Sequence, residues 1–561
     1  MTPLYRSSRG GSLDQDLTFT DAVMRGLALD GGLFVPTFIP TVAREEWVEW
    51  SKLANFWELA AAVMSKFIST DEMDRATLEE MLKSTYSTPS FRDAGITPVR
   101  KFDGAGPDGE APLYLLELFH GPTFAFKDVA LQFLGRVFAH ILKGERASAA
   151  SGESSSSASG SSSSGRMTVV AATSGDTGSS AIHGLGGQPG VECFVLFPKG
   201  GPSEIQQQQM TTVADENVHC IAVEGDFDDC QRIVKSFFNT PALRETCRLG
   251  AVNSINWARI LAQIVYYWWS YFRVLEMEGT PAAAAAAAAD GAAPRTVSFS
   301  VPTGNFGDIL AGYYAKRMGL PVDRLVVATN SNDILDRFFR GGAYAYTGAS
   351  TPTPAPSMDI SVSSNFERFL YHCFGDDSDA TQAVMKEFAA SRTIAAPAGS
   401  DVHANAVAAM DSGCATDVDI FNTIASFKQR FGYTLDPHTA VGVCVATGAT
   451  LKATRESPKG VANDIQQKLG ASTSPVVCLA CAHWAKFPAV QSQAEANGVE
   501  GETLAALSQE GLVVPSVLAA LASLPQRCVV KSSEFADVRA YILETLLERE
   551  LIDADAALAA Q

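Results

Sequence analysis

Two stretches of the chain follow one local order: an apolar run, a glycine turn, then helical periodicity. From Thr296, TVSFSV enters PTGNFGD and continues as ILAGYYAKRMG; from Met167, MTVVAA runs into TSGDTGSS and then AIHGLG. A strand, a glycine loop and a helix in that order, used repeatedly, constrain the fold to parallel sheets wrapped by helices, with ligands at the carboxyl ends of the strands. Further runs obey the same order: VECFVLF, HCIAVEG before DFDDCQRIVKSFF, RLVVATN before DILDRFFRGG, and PVVCLACA before a helix. No fixed-period internal repeat is evident. With 561 residues and 46% hydrophobic content, the chain can bury two or three such cores.

The segment HGPTFAFKDVALQFLG, from His120 to Gly135, carries a candidate nucleophile. Lys127 follows Phe124, Ala125 and Phe126. It opens a helical pattern in which Ala130, Leu134, Val137, Phe138 and Ile141 recur at three- and four-residue spacing. Most lysines are solvated. The apolar approach desolvates this one and disfavours its ammonium, so a neutral amine able to attack a carbonyl becomes accessible near neutral pH. A Schiff-base lysine has that requirement. A phosphate-binding P-loop is excluded, because it needs glycine before its lysine and Ser or Thr after it, where Phe126 and Asp128 stand.

The two glycine loops supply binding chemistry. Gly304 and Gly307 let backbone N–H groups approach a ligand closely, and the helix behind them presents a partial positive charge, which suits a phosphate. In the other loop Ser174, Asp176 and Thr177 crowd polar groups at the end of a strand, where a substrate carboxylate would bind. The same residues also fit as caps of the next helix.

Together these three segments resemble the threonine synthase family, among the pyridoxal-phosphate enzymes of fold type II. The resemblance extends to RGGSLDQDLTFTDAVMRGLALDGGLFVP, SINWARILAQIVYYWW, ATNSNDILDRFFRGG, PSMDISVSSNFERFLY, DPHTAVG and CLACAHWAKFP, and so runs through nearly the whole chain. It looks like the longer, class II branch. The resemblance implies an α/β fold with two doubly wound domains and a helical N-terminal domain over residues 1–96. The large cofactor-binding domain would take 97–147 and 292–545, and a smaller mobile domain 166–280. Low-complexity inserts would occupy 148–165 and 281–291, and residues 347–356 would form another loop.

By the same resemblance, Lys127 is the lysine that carries pyridoxal 5'-phosphate as an imine. Gly304, Asn305, Phe306 and Gly307 form the cofactor-phosphate loop, and Asp308 adjoins it and would cap the helix behind. Thr173, Ser174, Asp176 and Thr177 would hold substrate over the cofactor. The family's STAHPAKF is ACAHWAKF here, so Cys481 replaces a threonine that contacts the pyridine nitrogen, and Trp484 replaces a proline. A thiol is the weaker hydrogen-bond partner. In FPKGGPSEIQQQQM, Gly201, Gln207 and Gln208 depart from the family's charged residues, which leaves Lys199 and Arg259 as candidate partners of a substrate phosphate.

Composition narrows the partners. A net charge of −19, from 43 Lys and Arg against 62 Asp and Glu, argues against nucleic acid, while a local cationic pocket can still focus an anionic substrate. Ten cysteines lack a disulfide rhythm and the N-terminus lacks an apolar leader, so reduced thiols and a cytoplasmic location are expected. Cys478 and Cys481 form a lone CxxC, read as structural rather than as a metal or redox site. IVYYWWSYFRVL is too short for a membrane span and is interrupted by Ser270 and Arg273, so its aromatic residues are expected to pack between domains.

The implied reaction converts O-phospho-L-homoserine and water to L-threonine and phosphate, by a monomer or homodimer, as the last step of threonine biosynthesis. A phospho-lyase giving 2-oxobutyrate, or a silent cofactor-binding protein, stands as the alternative.

Overall fold

A computed structural model describes residues 2–151, 165–280, 294–396, 400–448, 462–498 and 514–560. Seventeen elements position the site. They begin with β1 (Val99–Phe102), β2 (Leu113–Glu117), α1 (Lys127–Ser151), β3 (Met167–Ala172), α2 (Asp176–Leu185), β4 (Val191–Pro198), α3 (Glu204–Thr211), β5 (Val218–Glu224) and β6 (Leu249–Gly250). They continue with α4 (Trp257–Met277), β7 (Val297–Pro302), α5 (Gly307–Arg317), β8 (Val322–Thr329), β9 (Asp411–Cys414), α6 (Pro437–Thr447), β10 (Val476–Ala480) and β11 (Val529–Ser532).

The chain divides into two compact units: the described residues of Met1–Phe19, Leu27–Phe126 and Arg259–Val513, and those of Thr20–Gly26, Lys127–Ala258 and Val514–Gln561. The first holds a six-stranded sheet in the order β9-β8-β7-β10-β2-β1. All neighbours are parallel except β1 with β2. β2, β7 and β10 are buried along their whole length, which is why LYLLE, VSFSVP and VVCLA read as apolar runs without alternation. Leu113, Val326, Val441, Val445 and Val476 belong to its core.

The second unit holds a wholly parallel five-stranded sheet in the order β11-β5-β4-β3-β6. Its core contains Phe194, Ile221, Val223, Phe237 and Ile542. The expected α/β class with two sheets is therefore present.

Several boundaries differ from the expectation. β11 pairs with β5, so the chain near residue 530 belongs to the smaller sheet and not to the larger domain expected to reach 545. Arg527 secures it, its N–H donating to the Thr211 carbonyl at 2.6 Å. A strand added from so far along the chain leaves no local pattern to read. α1 likewise groups with the smaller unit, and residues 1–96, apart from Thr20–Gly26, group with the larger one. Residues 148–151 complete α1 instead of starting a loop, because alanine and serine here continue a helix already nucleated upstream. The rest of the two low-complexity inserts lies almost wholly outside the described residues.

The aromatic residues of α4 meet the N-terminal segment. Trp268, Trp269 and Tyr271 stand 5.2, 5.6 and 6.0 Å, centroid to centroid, from Trp50, Phe56 and Trp47. Among the described residues no helix is long and apolar enough to cross a membrane.

Candidate active site

The approach to Lys127 is braced by the segment that follows β10. Phe126 N–H donates to the Cys481 carbonyl at 2.7 Å, and His483 N–H to the Phe124 carbonyl at 3.1 Å. Phe124 is left-handed, at φ 59°, with the Arg92 guanidinium 3.6 Å from its ring centroid. Lys486 is fully buried and donates to the Thr123 carbonyl at 2.8 Å. In CAHWAKF the sequence alone marks out Cys481 and Trp484. A lysine in an otherwise apolar run was the signal available for Lys486, since an ammonium is buried only against acceptors.

Two helices then bring Lys127 to an acid within the smaller unit. A Cβ on Gly135 of α1 would stand 2.0 Å from the Gly184 carbonyl oxygen of α2, and one on Gly184 would stand 2.4 Å from that of Leu131. Backbones approach this closely only at glycine. Lys127 Nζ and Asp176 Oδ2, both buried at the helix starts, lie 3.6 Å apart. Asp176 Oδ1 also accepts from Gln206 Nε2 at 2.8 Å, and Gln206 Oε1 accepts from Ser203 N–H at 3.0 Å. No local pattern in the sequence marks Gln206, because its partner Asp176 lies 30 residues away along the chain.

Thr173 Oγ1 accepts from the Gly175 and Gly178 N–H groups at 2.9 and 2.8 Å. It serves the start of α2, for which Ser174, Asp176 and Thr177 were candidates; Ser174 and Thr177 are half-buried. Lys199, just past β4, is exposed and pairs with Glu224 at 3.0 Å.

In the larger unit the loop between β7 and α5 forms an anion cradle. Phe306 is left-handed, at φ 66°, directly before helical Gly307. Such a sequence of conformations aims successive N–H groups at one point, and the first N–H groups of a helix have no partner within it. A Cβ on Gly304 would stand 3.1 Å from Met358 Cα and 3.2 Å from the Ser357 carbonyl oxygen, so glycine lets the loop lie against that backbone. Ser363 Oγ donates to the Gly304 carbonyl at 2.8 Å, and Asn365 N–H to the Asn305 carbonyl at 3.1 Å.

Asp308 lies in the first turn of α5, whose cap position, Phe306, carries no side-chain hydrogen bond. Asp308 Oδ1 accepts from the Tyr266 and Tyr267 hydroxyls at 2.6 and 2.9 Å, tying α5 to α4. Burial and the neighbouring carboxylate push both hydroxyls far above the ordinary tyrosine range, so they remain donors. Arg259 is buried in the first turn of α4; desolvation lowers its pKa to about 10, still cationic at neutral pH. Next along that helix, Ile260 Cδ1 and Gln263 Oε1 would lie 3.5 and 3.8 Å from a Cβ on Gly307.

Cys481 is buried, and its N–H donates to Thr439 Oγ1 at 3.0 Å. Cys478 is buried on β10, where desolvation raises its thiol pKa. All ten cysteines are free, and no group of His, Cys, Asp and Glu among the described residues is arranged to hold a metal.

A glycine cradle at a helix start and a buried helix-start lysine fit the phosphate and the aldehyde of pyridoxal phosphate. With two helix-wrapped sheets, one mainly and one wholly parallel, they define the class, a pyridoxal-phosphate enzyme of fold type II. The family model described as "Pyridoxal-phosphate dependent enzyme" matches residues 91–415. Models described as "Threonine synthase N terminus" and "Threonine synthase, C-terminal" match residues 4–86 and 459–542. Threonine synthase of Eremothecium gossypii is 42% identical over 99% of both chains.

The yeast threonine synthase crystal structure has a TM-score of 0.80 at 37% identity, covering 97% of this chain and 99% of that one. A PLP-bound threonine synthase from Brucella melitensis has a TM-score of 0.77 at 37% identity, covering 99% of this chain and 100% of that one. The chain belongs to the threonine synthase family.

Proposed function

We propose that the chain converts O-phospho-L-homoserine and water to L-threonine and inorganic phosphate, the last step of threonine biosynthesis. The observation that carries this reading is the buried Lys127 amine beside the Asp176 carboxylate, at the starts of two packed helices. Bound pyridoxal phosphate supplies an electron sink for charge developing on the substrate.

The chain's own residues do the rest. Lys127 would hold the cofactor, and its amine moves protons at Cα and Cβ, while Asp176 holds its ammonium form in place. Backbone N–H groups of Gly304, Asn305, Phe306 and Gly307 hold the cofactor phosphate, with Asp308 fixing the helix behind them. Cys481 would be the residue offered to the pyridine nitrogen, as a weak thiol partner. Ser174 and Thr177 bind the substrate from a turn shaped by Thr173, and of the two candidate cations, Lys199 and Arg259, the buried Arg259 serves its phosphate, since Lys199 is exposed and paired with Glu224. The reading includes a reducing, cytoplasmic setting, which the free thiols support.

The test is an absorbance spectrum of the purified protein with and without O-phosphohomoserine, with threonine, 2-oxobutyrate and phosphate quantified in the same tube. A cofactor band that shifts with substrate, with threonine and phosphate in equal amounts, is expected. Phosphate with 2-oxobutyrate would make the protein a phospho-lyase. Lys127→Ala removes both band and turnover; a band unchanged in that variant would sink the assignment.

A further inference from the structure

One buried carboxylate in the larger unit is linked both to the backbone under the Gly304 loop and to the backbone of Cys481. Asp436 precedes α6 and is 2% exposed. Its carboxylate accepts from the His438 and Thr439 N–H groups, as any helix cap does. Capping does not account for its other contacts. Asp436 Oδ1 also takes His438 Nδ1 at 2.9 Å, and Oδ2 takes the Thr439 hydroxyl.

Each of those side chains carries the contact onward. His438 Nε2 accepts from Ser357 N–H at 3.1 Å. With Nε2 accepting from an N–H, the ring proton sits on Nδ1, toward the carboxylate. Ser357 and Met358 form the floor on which Gly304 rests. In the other direction Thr439 Oγ1 accepts from Cys481 N–H at 3.0 Å, and the Cys481 carbonyl accepts from Phe126 N–H at 2.7 Å. Phe126 immediately precedes Lys127.

We infer that Asp436 is a positioning residue. Through His438 it sets the floor of the cofactor-phosphate loop, and through Thr439 it sets the Cys481 backbone and, by the Phe126 N–H, the residue before Lys127. The inference rests on the assignment of Lys127 and the Gly304–Gly307 loop. Because the two arms leave different oxygens, they are separable by substitution.

Apoenzyme of the full chain, titrated with pyridoxal phosphate and followed by the absorbance of the bound cofactor, tests it. His438→Leu is expected to raise the cofactor Kd about tenfold, the size of effect expected from losing a buried hydrogen bond, with the band in place. His438→Gln, which keeps an acceptor for Ser357 N–H, recovers most of that loss. Thr439→Val is expected to move the band with Kd within about threefold, and Thr439→Ser to restore it. Asp436→Asn does both. Thermal unfolding of each variant shows that it is folded. A folded Asp436→Asn with wild-type Kd and band position, and only a lowered Tm, would reduce Asp436 to a helix cap and overturn the inference. An unchanged band in Lys127→Ala would instead overturn the assignment beneath it, whatever Asp436 does.

Discussion

At the scale of single residues, the site is a set of charges held by neutral partners. Gln206 fixes Asp176, which faces the Lys127 amine. Replacing Asp176 by Asn removes the charge and keeps the shape, so kcat should fall about a hundredfold with the cofactor still bound, the usual scale for losing a proton-handling group. Gln206→Leu should cost roughly tenfold, since it loosens Asp176 without removing it. Steady-state kinetics on both variants would check this, and a wild-type kcat in Asp176→Asn would refute it. The two candidate cations should also part. Lys199 is exposed and occupied by Glu224, so Lys199→Ala should leave KM within about twofold. Arg259 is buried and cationic, so Arg259→Lys, which loses the bidentate fork, should raise KM about tenfold.

Among elements, the α1–α2 contact decides whether Lys127 and Asp176 meet. Gly135→Ala or Gly184→Ala would drive a methyl into a facing carbonyl, and because backbone must shift, the cost should exceed the ~1–3 kcal/mol typical of overpacking. Activity should fall along with stability. Gly144, in the same helix, is exposed, with no atom within 4 Å of a Cβ placed there. Gly144→Ala should therefore stabilise by about 0.5–1 kcal/mol through helix propensity alone. Thermal unfolding of the three variants gives opposite signs if the contact works as described, and one common sign if it does not.

Over the whole molecule, acid should loosen the fold before carboxylate titration alone would. Desolvation holds His483, in the brace behind Lys127, down to a pKa of about 4 from an ordinary 6.5. Between those values the unfolded chain binds a proton that the folded chain refuses. Stability from this group is thus complete above pH 6.5 and is lost as pH falls toward 4, by up to about 3 kcal/mol. Buried His372, also lowered by desolvation, acts in the same direction. His483→Asn should flatten the fall of Tm between pH 6.5 and 4 relative to wild type; an identical slope would show that the ring does not titrate there.

What could be read in the chain and what could not follow from one physical division. Periodicity, glycine turns and an apolar approach are properties of neighbours along the chain. The α/β class, the strand-loop-helix units at Met167 and Thr296 and the helix start at Lys127 were therefore legible from sequence alone. The placement of β11 beside β5, the tyrosines on Asp308, Asp176 beside Lys127, and the two arms from Asp436 were not. Each joins residues tens to hundreds of positions apart, and a buried polar group takes whichever partner packing brings to it. That choice is made only when the sheets close and water is gone.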